Sequence, residues 1–339
     1  MGVPLLQVRD LSVHIPTSDG VVKAVDGVSF DVVSGEMLGV VGESGSGKSM
    51  TFLTVMGLLG SSRGVVRGQA LFDGRDLLQL PVDQLQQVRG AEIAMIFQDP
   101  MTSFHPLYKV GDQIVEAIRA HRRVSRAEAR VLTISMLRRA GLPIPEQRAD
   151  QYPHEFSGGM RQRAMIAMAI ALEPRVLVAD EPTTALDVTV QAQILDLLDD
   201  LRQELGIGIV LITHDLGVIG EVADSVMVMY AGRIAERARR DDFFSAPAHP
   251  YSWGLLDSLP DRAGSTTRLS PIEGSPPSPI DIPQGCPFHP RCPHRFDPCD
   301  TLVPELADRG VGHADACHLP AEEKVLLGRA RRNASQERR

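Results

Sequence analysis

Residues 3–35 read as short strands with turns. Leu5-Leu6-Gln7-Val8 and Leu11-Ser12-Val13 are rich in strand formers, Thr17-Ser18-Asp19-Gly20 has turn chemistry, and Val28-Ser29-Phe30-Asp31-Val32 alternates apolar with polar. Met37–Val41 is a continuous apolar run that enters a glycine-rich segment, after which Met50–Leu59 predicts a helix. Gly68–Gly74 reads as a strand ending in a turn, and Ala91–Gln98 as another strand. Residues 109–141 then change to helical spacing, with Val110, Ile114, Ile118, Val131, Ile134 and Leu137 on the apolar stripe, until Gly141-Leu142-Pro143 breaks it. Gly158–Leu172 predicts a further helix, stopped before Pro174. Val176–Ala179 and Ile209–Thr213 are uninterrupted apolar runs of the kind buried on both faces of a parallel sheet, with the helix Val190–Leu205 between them. Strands alternating with helices in this way predict an α/β fold, with the helical block at about 100–156 inserted into it.

The periodicity stops after about residue 245. Residues 271–293 are dense in proline and predict an irregular linker, and Arg329–Arg339 predicts a polar, mostly basic tail. At 339 residues the chain has room for a main domain and an appendage. With 43% hydrophobic and 23% charged residues the composition is that of an ordinary globular protein, and the net charge of −8 argues against nucleic acid as the main partner. The start, MGVPLLQVRD, has no basic n-region and predicts no signal peptide. The longest uncharged apolar stretch, Ala164–Leu172, is too short to span a bilayer, so any membrane role is expected to come through partner chains.

The strongest chemical signal follows the Met37–Val41 run. Gly42-Glu43-Ser44-Gly45-Ser46-Gly47-Lys48-Ser49 has the form G-x-x-x-x-G-K-S, placed between a strand and the helix that opens at Met50. Glycines there let backbone N–H groups turn toward phosphate oxygens, and the helix N-terminus adds positive partial charge. Lys48 is expected to reach the β- and γ-phosphates and Ser49 to ligate Mg²⁺. A guanine-reading N-K-x-D does not occur, which disfavours a GTPase. A second anion-friendly helix start, Ser157-Gly158-Gly159 within Phe156–Arg163, lies just ahead of Arg175-Val176-Leu177-Val178-Ala179-Asp180-Glu181. Two adjacent acids at the end of a buried strand are costly unless a cation or a reaction uses them. Asp180 therefore fits a ligand of Mg²⁺ and its waters, and Glu181 a base that orients the attacking water.

In this order the motifs resemble an ATP-binding cassette (ABC) transporter ATPase over about residues 3–245. The resemblance implies a P-loop nucleotide-binding domain with a RecA-like parallel sheet, an antiparallel β part and an inserted helical subdomain at about 100–156. It implies ATP and Mg²⁺ as cofactors. Gly42 through Ser49 with Met50 match Walker A, and Gln98 matches the Q-loop glutamine that senses Mg²⁺ and the membrane subunits. Ser157, Gly158 and Gly159 match the signature loop, and Ala185-Leu186-Asp187 the D-loop. His214, after Val210-Leu211-Ile212-Thr213, matches the switch histidine at the γ-phosphate. One position departs from the family: where an aromatic ring usually stacks on adenine, this chain has Ile15 beside His14, so adenine stacking is expected to be weaker, or replaced by apolar contact with Ile15 or Val22.

Finer features resemble the ATPases of dipeptide and oligopeptide importers: Phe97–Ser103, Met160 within Phe-Ser-Gly-Gly-Met-Arg-Gln-Arg, His249-Pro250-Tyr251 with Leu255-Leu256 and Leu259-Pro260, and Gly285–Pro293. That likeness implies a peripheral subunit on the cytoplasmic face of the membrane. Its partners would be two integral membrane permease subunits, a second and non-identical ABC ATPase, and an extracytoplasmic substrate-binding protein. Nickel and other small-solute importers share parts of the pattern and stay open as the alternative. A soluble ABC ATPase acting on nucleic acid or ribosomes is disfavoured, because such proteins often hold two cassettes or a long coiled-coil insertion and this chain has neither.

The region 246–325, ahead of a polar tail at 326–339, carries all four cysteines: Cys286, Cys292, Cys299 and Cys317, spaced C-x5-C-x6-C-x17-C. Four thiols in a proline-rich segment without periodicity predict a cross-link in a module that lacks its own core. Disulfides are disfavoured in a cytosolic protein, and the close C-x2–4-C pairs of structural zinc are absent. The expectation is a small metal-binding region holding a 4Fe–4S cluster, which the peptide-importer resemblance supports. Zinc, with His289, His294, His313 and His318 nearby, and free thiols remain alternatives.

Overall fold

Every residue of Val176–Asp180 and of Gly208–Ile212 is buried, and both segments lie in parallel pairing, as uninterrupted apolar runs require. The computed structural model describes residues 3–59, 64–99, 103–184, 186–259, 271–310 and 312–328. Expectations that fall on Pro100, Met101, Thr102, Ala185, Pro260 and Arg329–Arg339 lie outside these residues. The strands in chain order are β1 (Pro4–Thr17), β2 (Gly20–Val33), β3 (Met37–Val41), β4 (Val65–Phe72), β5 (Arg75–Asp76), β6 (Ile93–Ile96), β7 (Val176–Asp180), β8 (Gly208–Ile212), β9 (Ser225–Tyr230), β10 (Arg233–Arg239), β11 (Ala307–Asp308) and β12 (Ala314–Asp315). Among the described residues no helix is long and apolar enough to cross a membrane. The chain divides into two units, one made of residues 1–7, 31–37 and 71–212, the other of residues 8–30, 38–70 and 213–339.

In the first unit β6, β7 and β8 pair side by side in parallel, with Ile93 opposite Val176, Ile96 opposite Ala179, and Asp180 opposite Ile212. The helix Val188–Leu205 connects β7 to β8 and buries Ile194, Leu195, Leu198 and Leu201, one stripe at helical spacing. It ends at Gly206, whose φ of 65° is a left-handed C-terminal turn. The helical stretch expected at 109–141 is two helices, Val110–His121 and Arg126–Arg139. The break has a local cause. Ser125 accepts from the Glu128 N–H and Glu128 accepts from the Ser125 N–H, a capping box that starts a new helix. These helices pack on each other and on Gly158–Ala169.

In the second unit β3 pairs in parallel with β9, from Leu38 opposite Ser225 to Val41 opposite Val228. Strands β9 and β10, unexpected from the sequence, form a hairpin through Ala231 (φ 46°) and Gly232 (φ 80°), the positive pair of a type I′ turn. The helix after the glycine-rich loop runs Lys48–Val55, shorter than expected. The N–H of Gly57 reaches Thr54 O (2.8 Å) and that of Leu58 reaches Leu53 O (2.8 Å), a Schellman stop centred on Gly57.

The C-terminal segment extends this sheet: β12 pairs with β10 (Glu236 opposite Asp315) and β11 with β12. Here the metal expectation is corrected. Cys286, Cys292, Cys299 and Cys317 are free thiols, and among the described residues no three His, Cys, Asp or Glu side chains are disposed to hold a metal ion, so neither the 4Fe–4S cluster nor zinc is supported. Burial pushes the thiol of Cys286 up to about 11 and that of Cys292 to about 12, and raises Cys317, so these groups are held as neutral thiols. The region borrows a core. Phe288, 3% exposed, packs on Tyr230, Tyr251 and His249. Backbone bonds tie the cysteine loops together, Cys286 N–H to Cys299 O (2.8 Å) and Cys299 N–H to Phe296 O (2.7 Å).

Glu236, fully buried in β10, accepts from the N–H groups of Ala248 (2.8 Å) and His249 (2.9 Å) and lies 2.9 Å from His313 Nε2. The hydrogen bond to Glu236 raises the His313 pKa, burial opposes the rise, and Glu236, Asp315 and Asp242 add to it by charge. A base whose folded pKa is raised stabilises the fold fully below its unfolded value, about 6.5, and loses that contribution as pH rises through the folded value. His313→Gln is therefore expected to lower the urea midpoint more at pH 6 than at pH 9. Equal losses at the two pH values would show that the pair does not titrate in this range.

Candidate nucleotide-binding and hydrolytic site

In the second unit the loop at 42–49 leaves β3 and enters the helix Lys48–Val55 without a spacer. Two of its glycines are required sterically. Gly42 has φ 150°, and a Cβ there would lie 2.2 Å from Met229 O; Gly47 has φ 98°, and a Cβ would lie 2.4 Å from Ala24 O. Lys48 is 7% exposed, and its Nζ donates to Gly42 O (2.7 Å), Glu43 O (3.0 Å) and Ser46 Oγ (3.4 Å). The ammonium is thus held across the mouth of the loop. Ser44 and Gly45 are exposed at the tip, and Ser46 is anchored by Gly232 N–H to Ser46 O (3.0 Å). Ser49 and Met50 are half-buried in the first helical turn.

His214 is exposed in the same unit. Thr213 N–H bonds to Val40 O (3.1 Å), and Asp215 caps the helix Leu216–Val222 by accepting from Gly217 N–H (2.8 Å) and Val218 N–H (3.3 Å). His214 is therefore carried between two anchored residues. Ile15 and Val22 are both half-buried on β1 and β2.

The first unit holds the carboxylates. Asp180 closes β7 at 5% exposure. Glu181, the next residue, has φ 46°, a left-handed conformation that a non-glycine residue adopts at a cost of about 1–3 kcal/mol. Its own N–H bonds to Ile212 O (2.8 Å), which holds that conformation. Gln98 Nε2 (2.9 Å) and Thr184 Oγ1 (2.8 Å) both donate to Glu181 Oε2. The residues Gln98 and Glu181, 83 positions apart in sequence, are brought together here. Thr184 was not singled out from the sequence. Its place three residues after Glu181 was the available signal.

The Ser157 loop is also in the first unit. Ser157 Oγ accepts from Met160 N–H (3.3 Å), and Arg161 donates from Nε (3.1 Å) and Nη2 (2.9 Å) to Phe156 O, which fixes the entry to the helix. A Cβ on Gly159 would lie 2.9 Å from Val190 Cγ1, and one on Gly158 would lie 3.7 Å from Leu186. Asp187 caps the helix Val188–Leu205 by accepting from Val190 N–H (2.9 Å). Residues 157–159 and 186–190 therefore form one packed ensemble with two capped helix starts.

Three aromatic and basic residues around Glu43 escaped the sequence analysis as contributors to this site. Tyr251 and Arg291 bond Glu43 directly, and the Tyr230 hydroxyl accepts from Arg291, across up to 248 positions of sequence, and no local pattern announces such contacts.

The pattern of the ABC transporter family matches residues 25–184, and that of the oligopeptide/dipeptide transporter C-terminal region matches residues 235–299. The chain is 49% identical over 331 residues to the dipeptide transport ATP-binding protein DppD of Bacillus subtilis (strain 168), covering 96% of this chain and 99% of that protein. It is 49% identical over 319 residues to the oligopeptide transport ATP-binding protein OppD of Escherichia coli (strain K12), covering 94% of each. Among solved structures, the dimeric structure of MJ0796, a bacterial ABC transporter cassette, superimposes with a TM-score of 0.62 at 26% identity, over 69% of this chain and 98% of that one. Matched by both patterns and alike along nearly its whole length, the chain belongs to the ABC transporter ATPases, in the family of dipeptide and oligopeptide transport ATP-binding proteins.

Proposed function

We propose that this chain hydrolyses ATP at the cytoplasmic face of a membrane and thereby drives import of dipeptides or oligopeptides through separate membrane subunits. The observation that carries the hydrolytic reading is Glu181. A carboxylate in a strained backbone conformation, held by two side-chain donors and placed directly after a buried aspartate, is arranged for chemistry rather than for packing.

The donor set suits the nucleotide. Gly42 and Gly47 let the loop main chain close against Met229 O and Ala24 O, and Lys48 supplies a buried cation. The family resemblance assigns Mg²⁺ to Ser49, Asp180 and Gln98, each of which carries the hard oxygen that Mg²⁺ prefers. Bound there, Mg²⁺ would neutralise charge on the β- and γ-phosphate oxygens. Glu181 orients the attacking water and accepts its proton. Gln98 and Thr184 fix the rotamer of that carboxylate. His214 contacts the γ-phosphate. Ser157, Gly158, Gly159 and Asp187 face the nucleotide of a second ATPase subunit, since a single cassette supplies only half of each composite site. Resemblance to peptide importers makes that second subunit a related but non-identical chain. Residues 1–245 serve as the nucleotide-binding domain, with the insert at 100–156 facing two permease subunits; Phe97, Leu107 and Tyr108 are exposed apolar residues suited to that contact. Residues 246–325 form the C-terminal region, and an extracytoplasmic binding protein delivers the peptide. The net charge of −8 supports a role without nucleic acid.

The test is the intact transporter, purified by a tag on this chain and reconstituted with its binding protein. Peptide is expected to stimulate ATP hydrolysis, and native mass measurement to find one copy of this chain with one related ATPase and two membrane subunits. Stimulation by nickel and not by peptide would replace the substrate, and two copies of this chain with no other ATPase would refute the pairing.

A further inference from the structure

The C-terminal segment reaches into the nucleotide loop through one residue, Glu43. The guanidinium of Arg291 grips its carboxylate with two parallel bonds, Nη1 to Oε2 (2.7 Å) and Nη2 to Oε1 (3.0 Å). The backbone N–H of Glu43 donates to the hydroxyl of Tyr251 at 2.9 Å. The carbonyl of Glu43 accepts from Lys48 Nζ (3.0 Å) and from Ser46 N–H (3.2 Å). All three polar groups of this residue are therefore engaged, two by the C-terminal region and one by the loop lysine.

The two holders are themselves built in. The Arg291 side chain is 6% exposed, its Nε donates to Glu273 O (2.9 Å), and its charged carbon lies 5.9 Å from the Tyr230 ring centre and 6.0 Å from that of Phe288. Tyr251 is fully buried; its N–H donates to His249 Nδ1 (3.0 Å), and the His249 N–H donates to Glu236, the residue that also meets His313. Burial raises the Tyr251 pKa, so its hydroxyl stays neutral and free of repulsion with Glu43. A cavity of about 330 Å³ lies between loop residues 43–46 and Pro276, Pro277 and Pro279, so the proline run flanks the outer side of the same loop.

We propose that Arg291 and Tyr251 are positioning residues of the nucleotide site: they hold Glu43, and through its carbonyl the Lys48 ammonium, so that the C-terminal region sets the affinity of the loop for the nucleotide triphosphate. The physical reason is preorganisation. A loop that binds phosphate with backbone N–H groups gains affinity when its main chain is fixed beforehand, and a bidentate Arg–carboxylate pair is a stiff, geometrically specific fastener. Arg291 acts without touching phosphate, because its charge is already matched by Glu43. The C-terminal region is in this way more than an appendage, since whatever loosens it is felt at Lys48.

The inference rests on the ATP-binding reading above, and the experiment separates the two. In the full-length chain, ATP affinity is measured by titration for the unmodified protein and for Arg291→Ala, Arg291→Lys and Tyr251→Phe, alongside melting curves; the steady-state constants are then measured in the assembled transporter. Arg291→Ala is expected to raise the ATP dissociation constant by about 2- to 30-fold, the range of couplings carried by side-chain networks. Arg291→Lys should recover only part of that loss, because an ammonium cannot form both bonds. KM for ATP should rise by more than kcat falls. The charge-swapped pair Glu43→Arg with Arg291→Glu should bind ATP more tightly than either single swap. Unchanged affinity in a folded Arg291→Ala protein, with only its melting point lowered, would overturn the proposal. Where Arg291→Ala does not fold, Tyr251→Phe decides, since it removes one oxygen, and unchanged affinity there overturns the proposal equally. An unmodified chain that does not bind ATP would overturn both this inference and the function it rests on.

Discussion

Replacing Glu181 by Gln is expected to lower the turnover of ATP by roughly 10²–10⁴-fold while the nucleotide still binds, the range lost when a positioned base is removed. The amide has the size of the carboxylate, so the strand end and the left-handed turn at φ 46° are kept. An amide cannot accept a proton from water, and one of its two terminal atoms can no longer accept from Gln98 Nε2 or Thr184 Oγ1. Single-turnover hydrolysis by the assembled transporter separates the chemical step from product release. A rate close to that of the unmodified protein would remove Glu181 from the reaction and leave its strained geometry as a purely structural feature.

The second large effect is expected at Lys48. Lys48→Ala removes the buried ammonium that spans Gly42 O, Glu43 O and Ser46 Oγ. Hydrogen bonds to charged groups are worth about 1.5–3 kcal/mol, so ATP affinity should fall roughly 10- to 100-fold, and the acceptors left unpaired should lower the melting temperature as well. The contrast with Glu181→Gln is the diagnostic: one variant binds and does not turn over, the other does not bind well. A titration in which Lys48→Ala holds ATP as tightly as the unmodified chain would show that the ammonium serves the loop and not the ligand.

The P-loop, the buried β7 strand with Asp180 and Glu181, and the helices that follow them were legible because each is written within a few consecutive residues. Uninterrupted apolar runs predict buried parallel strands, and β7 and β8 have that form. The capped helix starts at Ser157 and Asp187 follow from a side chain and a backbone N–H three positions on. The β9–β10 hairpin was not recognised, although the positive-φ pair Ala231-Gly232 marks it, because Arg233–Arg239 carries charge and lacks the apolar look of a central strand. The early stop of the loop helix was likewise a local matter of Gly57.

The cysteine segment shows the other kind of boundary. Read alone, residues 286–317 have too few periodic apolar residues to build a core, and four thiols invite a metal as a substitute. The core is supplied by Tyr230 and Tyr251, which lie far back in the chain, and by β10, which lends its edge to β12. Whether a segment needs a cross-link depends on what it packs against, and that is a property of contacts distant in sequence. The same holds for Gln98 with Glu181 and for Arg291 with Glu43, pairs 83 and 248 positions apart. Residue types and spacing along the chain were enough to mark the loop and the carboxylates as the candidate site, because phosphate binding and water activation demand particular groups at short range. Which groups hold those residues in place was decided only by the folded chain, because the hydrogen bonds and burial that fix a rotamer come from whichever segments the tertiary structure brings alongside.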